Sequence, residues 1–204
     1  MKSLDAPTRE LVSLATVIAI GVESAIEARC RTSLATGVPP IWVEELLLQS
    51  VLMLGWPRTL NAAAIWRRVS GPTPAPGEDG TDYSMAADWL ERGEVVCRMV
   101  YGANYERLRQ NVRAMHPSLE AWMLVEGYGR TLGRPGLDLA RRELCVIAQV
   151  AVQGAERQLH SHLRGALNAG AEPSAVAEAL EIVRPLLGRP EEELMTTLWN
   201  RIRA

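Results

Sequence analysis

Apolar residues along this chain recur at three-to-four spacing, and the strict alternation of a half-buried strand is nearly absent, so the pattern predicts helices throughout. Leu11, Leu14, Ala15 and Ile18 fall on one helical face, and Leu144, Ile147, Ala148 and Ala151 fall on another. Asp5 and Asp138 stand where an N-cap is expected, and Gly37 and Gly170 where a left-handed residue stops the following helix. Pro40 and Pro173 then open new helices, at a position whose amide hydrogen has no intrahelical partner. From Gly71 to Gly80 the run Gly-Pro-Thr-Pro-Ala-Pro-Gly-Glu-Asp-Gly cannot hold a helix and reads as an exposed linker.

These paired landmarks share one offset, and it extends into an internal repeat. A shift of 133 residues aligns Asp5 with Asp138, Arg9-Glu10-Leu11 with Arg142-Glu143-Leu144, Gly21 with Gly154, Arg31 with Arg164, Glu45 with Glu178 and Pro57 with Pro190. Over residues 5–57 no gap is needed, and 18 of the 53 paired positions are identical. The expected architecture is all-α: a degenerate repeat over 1–70, a Pro/Gly-rich linker over 71–82 and a fuller unit over 83–204.

Composition narrows the function classes. The 204 residues carry 22 basic and 24 acidic side chains, a balance that gives no support to a nucleic-acid or membrane-surface partner. Cys30, Cys97 and Cys145 are too far apart for a CxxC and odd in number, so they read as reduced, buried thiols of a cytoplasmic protein. The N-terminus lacks the basic-then-apolar pattern of a signal peptide, and the apolar stretch from Leu11 to Val22 is too short to span a bilayer. Six tryptophans and no phenylalanine suggest that Trp42, Trp66, Trp122 and Trp199 fill core or interface positions.

The second copy, with Arg134-Pro-Gly-Leu, Arg142-Glu-Leu, His162-Leu-Arg and Asn168-Ala-Gly, resembles the carboxymuconolactone decarboxylase family. Gly93-Glu-Val-Val and Tyr101-Gly102 resemble the helices that precede this core in the decarboxylase branch. The resemblance implies the alkylhydroperoxidase D-like helical fold, here duplicated, assembled as trimers or hexamers with sites where helices of neighbouring units meet. A chain carrying two copies implies a homotrimer that imitates a hexamer.

The family's peroxidase branch places a glutamate 19 residues before a histidine, with a CxxC pair between them. Glu143 and His162 keep that spacing, but Ala155 and Gln158 occupy the thiol positions, and neither can form a thiolate or a disulfide. The decarboxylase branch asks instead for stabilisation of a dienolate and an acid that reprotonates carbon. His162 is the expected proton donor, because an imidazole exchanges protons near neutral pH, and Glu143 the group that orients it. Arg134, Arg164 and His160 are the candidate groups for a small carboxylate or lactone substrate. The scheme calls for no cofactor. It calls for no metal either, since His160 and His162 are not at the i, i+4 spacing of helical zinc sites.

Each residue also has a structural reading. Glu143 falls in the first turn of a helix, where any carboxylate gains from the dipole, and Glu10 occupies the same place in the first copy. Arg164 recurs as Arg31, which suggests a structural ion pair. His162 corresponds to Arg29, so the first copy is expected to replace the catalytic pair by a buried Glu10–Arg29 ion pair. Three functions stay open: a cofactor-independent carboxy-lyase of aromatic-compound catabolism, a thiol peroxidase, and a non-catalytic helical assembly or ligand-binding protein.

Overall fold

The computed structural model describes residues 4–75 and 77–203, so Pro76 of the expected linker and the extreme ends of both expected units lie outside the described residues. All regular structure among the described residues is helical. The first copy comprises α1 (Ala6–Ile20), α2 (Glu23–Ala35) and α3 (Pro40–Ser70); the second comprises α7 (Leu139–Val152), α8 (Glu156–Asn168), α9 (Pro173–Val183) and α10 (Arg189–Arg203). Between them run α4 (Ala86–Tyr101), α5 (Tyr105–Met115), α6 (Pro117–Trp122) and a π-helix (Met123–Leu132). The expected caps form. Asp5 accepts from the Thr8 amide at 2.7 Å and Asp138 from the Arg141 amide at 3.0 Å, while Gly37 and Gly170 adopt φ of 75° and 92°.

The α3 helix corresponds to α9 and α10 run together. Gly55, at φ 74° and ψ 171°, breaks it at the position matching Gly188, where the second copy passes from α9 to α10. Elsewhere the repeats follow one plan, and they pack across an approximate two-fold relation. α1 lies against α7, and each reaches the third helix of the opposite copy, α1 on α9 and α7 on α3. Arg9 pairs with Glu178, and Arg142 pairs with Glu45 at 2.8 Å, so equivalent arginines are exchanged between equivalent glutamates. Arg141 bonds to Thr8, its own counterpart, at 2.7 Å and to Asp5 at 2.9 Å. One hydrophobic cluster runs through both copies, from Leu11 and Leu46 to Leu144 and Val176.

The segment after Gly71 is irregular but pinned. Glu78 pairs with Arg92 at 2.7 Å, the Glu78 carbonyl accepts from Arg134 at 2.6 Å, and the Gly80 carbonyl accepts from Arg130 at 2.8 Å. Beyond it α4 and the π-helix meet almost backbone to backbone: a Cβ at Gly93 would strike the Leu124 carbonyl, and one at Gly129 the Trp89 carbonyl. Of the tryptophans expected to be covered, Trp66 and Trp199 are buried and Trp42 is half-buried beneath the Arg141 guanidinium. Trp122, at 63% exposure, fills no core position of the single chain, which leaves the interface position expected for it.

Candidate active site

Glu143 sits in the second turn of α7, since Asp138 is the N-cap and Leu139 begins the helix. The first-turn dipole effect expected for it, and for Glu10 in the matching position of α1, therefore falls to the capping aspartates instead. The inward face of α7 directs Glu143 to α8, where His162 shares the buried side with Leu159 and Leu163. The Glu143 carboxylate accepts from His162 Nδ1 at 2.8 Å. The glutamate is fully buried and the histidine is 5% exposed, and among the described residues neither Glu143 Oε1 nor His162 Nε2 has a hydrogen-bond partner.

Close approach of the two helices depends on Gly165. A Cβ there would lie 2.7 Å from both Glu143 Oε2 and Val100 Cγ1, so any side chain would wedge the carboxylate away from the imidazole. Behind the pair lies a polar chain that sequence reasoning missed. Tyr101 and Tyr128 stand together there, their rings meeting edge to face at 6.1 Å. Burial pushes the Tyr101 phenol up to about 12, and burial reinforced by Tyr101 lifts Tyr128 well above the ordinary range, so both act as neutral hydroxyls. Tyr128 arrives from the π-helix, an element whose widened turn is frequent at functional sites and has no apolar period to announce it.

The remaining candidates divide. His160 and Arg164 line one cleft of about 830 Å³, bounded by the end of α4, α5, α8 and α10, with Tyr101 and Ser161 on its wall. Burial, then Arg164 and Arg201, push the His160 pKa down. Arg134 lies elsewhere, on a separate depression, with its guanidinium engaged by Glu45 at 3.1 Å and the Glu78 carbonyl at 2.6 Å. The structure thus brings Glu143 to His162 and His160 to Arg164 but makes Arg134 part of the buried Arg134–Glu45–Arg142 cluster. Among the described residues the structural ion pair expected for Arg164 does not form: Arg31 holds Glu27 at 2.7 Å, but position 160, which matches Glu27, is a histidine.

The three thiols are buried, and burial pushes each up to about 12, so none offers a thiolate near neutral pH. In the first copy Arg29 donates to Glu10 at 3.1 Å, as expected from the sequence, but Arg29 is 43% exposed and so only the glutamate is buried. No group of three metal-ligating side chains gathers among the described residues, and no described helix is long and apolar enough to cross a membrane.

A sequence model of the Carboxymuconolactone decarboxylase family matches residues 2–68 and 117–199. Among curated proteins, "Peroxisomal protein 2" of Schizosaccharomyces pombe is 28% identical over 141 residues, covering 69% of this chain and 66% of that protein. An "Uncharacterized 15.0 kDa protein in nqo9-nqo10 intergenic region" of Paracoccus denitrificans is 41% identical over 75 residues, covering 34% of this chain and 56% of that protein. The matched regions thus span about two thirds and just over half of these relatives.

Proposed function

The chain belongs to the carboxymuconolactone decarboxylase family, and on that premise we propose that it is a cofactor-independent carboxy-lyase acting on a carboxylated lactone or related small acid. The observation that carries the reading is the buried Glu143–His162 pair at 2.8 Å, with Nε2 unengaged among the described residues. In this reading the bond from carbon to the carboxylate breaks, carbon dioxide leaves, and the electron pair passes into a dienolate. The protonated imidazole then delivers the Nε2 proton to carbon. Glu143, bonded to Nδ1, fixes the ring and stabilises its charged form, much as a buried carboxylate orients histidine in hydrolytic triads. Arg164 and His160, each two residues from His162 along α8, line a cleft that His162 does not line, and they take no part in this step.

A thiol peroxidase is disfavoured by Ala155 and Gln158 and by three thiols lifted to about 12. A disulfide-exchange reagent should leave all three cysteines unmodified until denaturant is added. The chain is further read as a cytoplasmic homotrimer in which three first copies and three second copies imitate a hexamer. Light scattering giving a stable monomer would refute that assembly. The catalytic test is turnover of 4-carboxymuconolactone by wild type and by His162→Ala: loss on substitution supports the assignment, and equal rates overturn it.

A further inference from the structure

Most arginines of this protein are held by carboxylates, within a helix as in Arg31–Glu27, Arg130–Glu126 and Arg189–Glu193, or between elements as in Arg92–Glu78 and Arg184–Glu192. Arg107, Arg157, Arg164 and Arg201 hold none among the described residues, and all four line the cleft of about 830 Å³. They come from three different helices, α5, α8 and α10, so the fold and not local sequence gathers them. The acidic residue on the same wall is Glu156. Such a concentration of like charge costs the free protein self-repulsion that a bound anion would relieve, and a concave wall focuses its field.

The internal repeat sharpens the observation. The first copy keeps Glu27 one turn before Arg31 and neutralises it at 2.7 Å. The second copy retains the arginine as Arg164 but carries His160 in place of the glutamate. Burial with the neighbouring Arg164 and Arg201 lowers the His160 pKa, so near pH 7 it contributes a donor and no charge. The cleft therefore carries a surplus of three positive charges, with Asn104 and Asn111 adding amide donors.

We propose that this cleft binds a small molecule bearing a diphosphate group, held by Arg107, Arg157, Arg164 and Arg201. A phosphate monoester carries roughly −1.5 to −2 charges and three acceptor oxygens near pH 7. Two linked phosphates therefore match the surplus, whereas two carboxylates leave a cation unmatched. Guanidinium forks engage phosphate oxygens two at a time, and four of them on three helices suit an extended group better than a single anion. The cleft lies toward the upper end of the roughly 300–1,000 Å³ typical of small-molecule sites. Its apolar part, including Leu108, Leu198 and Ile202, leaves room for an organic portion attached to the phosphates.

This binding does not depend on the decarboxylation reading, and it is measured directly. Isothermal titration of the full chain with inorganic pyrophosphate, ADP and succinate should show saturable binding of the first two, at least about tenfold tighter than the phosphate-free dianion. The Arg107→Ala/Arg201→Ala double variant should weaken pyrophosphate by at least about tenfold, while Arg189→Ala, an exposed arginine outside the cleft, should bind as wild type does. All four arginines are exposed, so the variants are expected to fold, and circular dichroism checks this. No saturable binding, succinate binding as tightly as pyrophosphate, or an equal loss in Arg189→Ala would overturn the proposal. So would a change in the mass of the assembly in the double variant, which would make the arginines an interface between copies.

Discussion

Glu10 and Glu143 occupy equivalent positions on equivalent helices, and each meets the side chain 19 residues later on the next helix, Arg29 in one copy and His162 in the other. The arginine extends to solvent and keeps its charge at every physiological pH. The imidazole is buried, spends one nitrogen on the glutamate and, among the described residues, leaves the other without a partner. A single backbone plan thus supports a half-exposed arginine–glutamate pair or a buried imidazole–carboxylate pair, and the choice between them is made by one side chain. The exchanged arginines repeat the lesson. Arg142 and Glu45 are 0% and 1% exposed and share their site with Arg134, whereas the equivalent Arg9 and Glu178 are 49% and 19% exposed.

The largest expected effect is to erase the difference in chemistry. Under the proposed function, His162→Arg converts the second copy to the first copy's pair and should lower kcat on 4-carboxymuconolactone by about 10²–10⁴-fold, the usual worth of a positioned acid. Arg29→His should leave the rate unchanged, and a gain would show that the first copy retains a usable site. The exchanged arginines come next. Arg142→Ala leaves Glu45 buried with Arg134 as its remaining cation and should cost about 3–5 kcal/mol in urea denaturation. Arg9→Ala should cost about 1 kcal/mol or less, because its half-exposed pair is screened by solvent. Equal losses would remove the asymmetry between the copies. Gly165→Ala should cost about 1–3 kcal/mol through overpacking and reduce kcat by pushing Glu143 off the imidazole, while the matching Thr32→Gly should leave kcat unaltered.

The smallest effect concerns the solvated pair. Burial raises the Glu10 carboxyl above its ordinary value, and Arg29 only partly counters it. A group whose pKa is higher in the folded state binds its proton more tightly there. Its contribution to stability is complete below the ordinary value of 4.5 and is lost as pH rises through the raised one. Glu10→Gln, compared with wild type in denaturation curves between pH 4 and pH 7, should therefore look progressively more favourable as pH rises. A difference independent of pH would show that Arg29 fully compensates the burial.

Much of this was legible from the chain. Asp5, Asp138, Gly37, Gly170, Pro40 and Pro173 act through backbone rules that operate within a few residues, so their roles survive any tertiary arrangement. The 19-residue spacing of Glu143 and His162 is two helices and a turn, a local geometry that the pattern carries. The four arginines of the cleft had a fainter trace, visible only afterwards: none has a carboxylate three or four positions away on its helix, as Arg31, Arg130 and Arg189 do. The buried pairing of Arg134 with Glu45 left no local sign, because the two residues are 89 positions apart.

By itself, then, the sequence determined the helices, their ends and the duplication, because each of these follows from period, capping or repeat spacing, and the family resemblance singled out Glu143 and His162, which the fold brings to 2.8 Å. Only the tertiary structure decided that the two copies exchange Arg9 and Arg142, that Tyr101 and Tyr128 stand behind the pair, and that unpaired arginines from α5, α8 and α10 face one cleft. Burial and charge partnership belong to helices brought together across long separations. No window along the chain contains them.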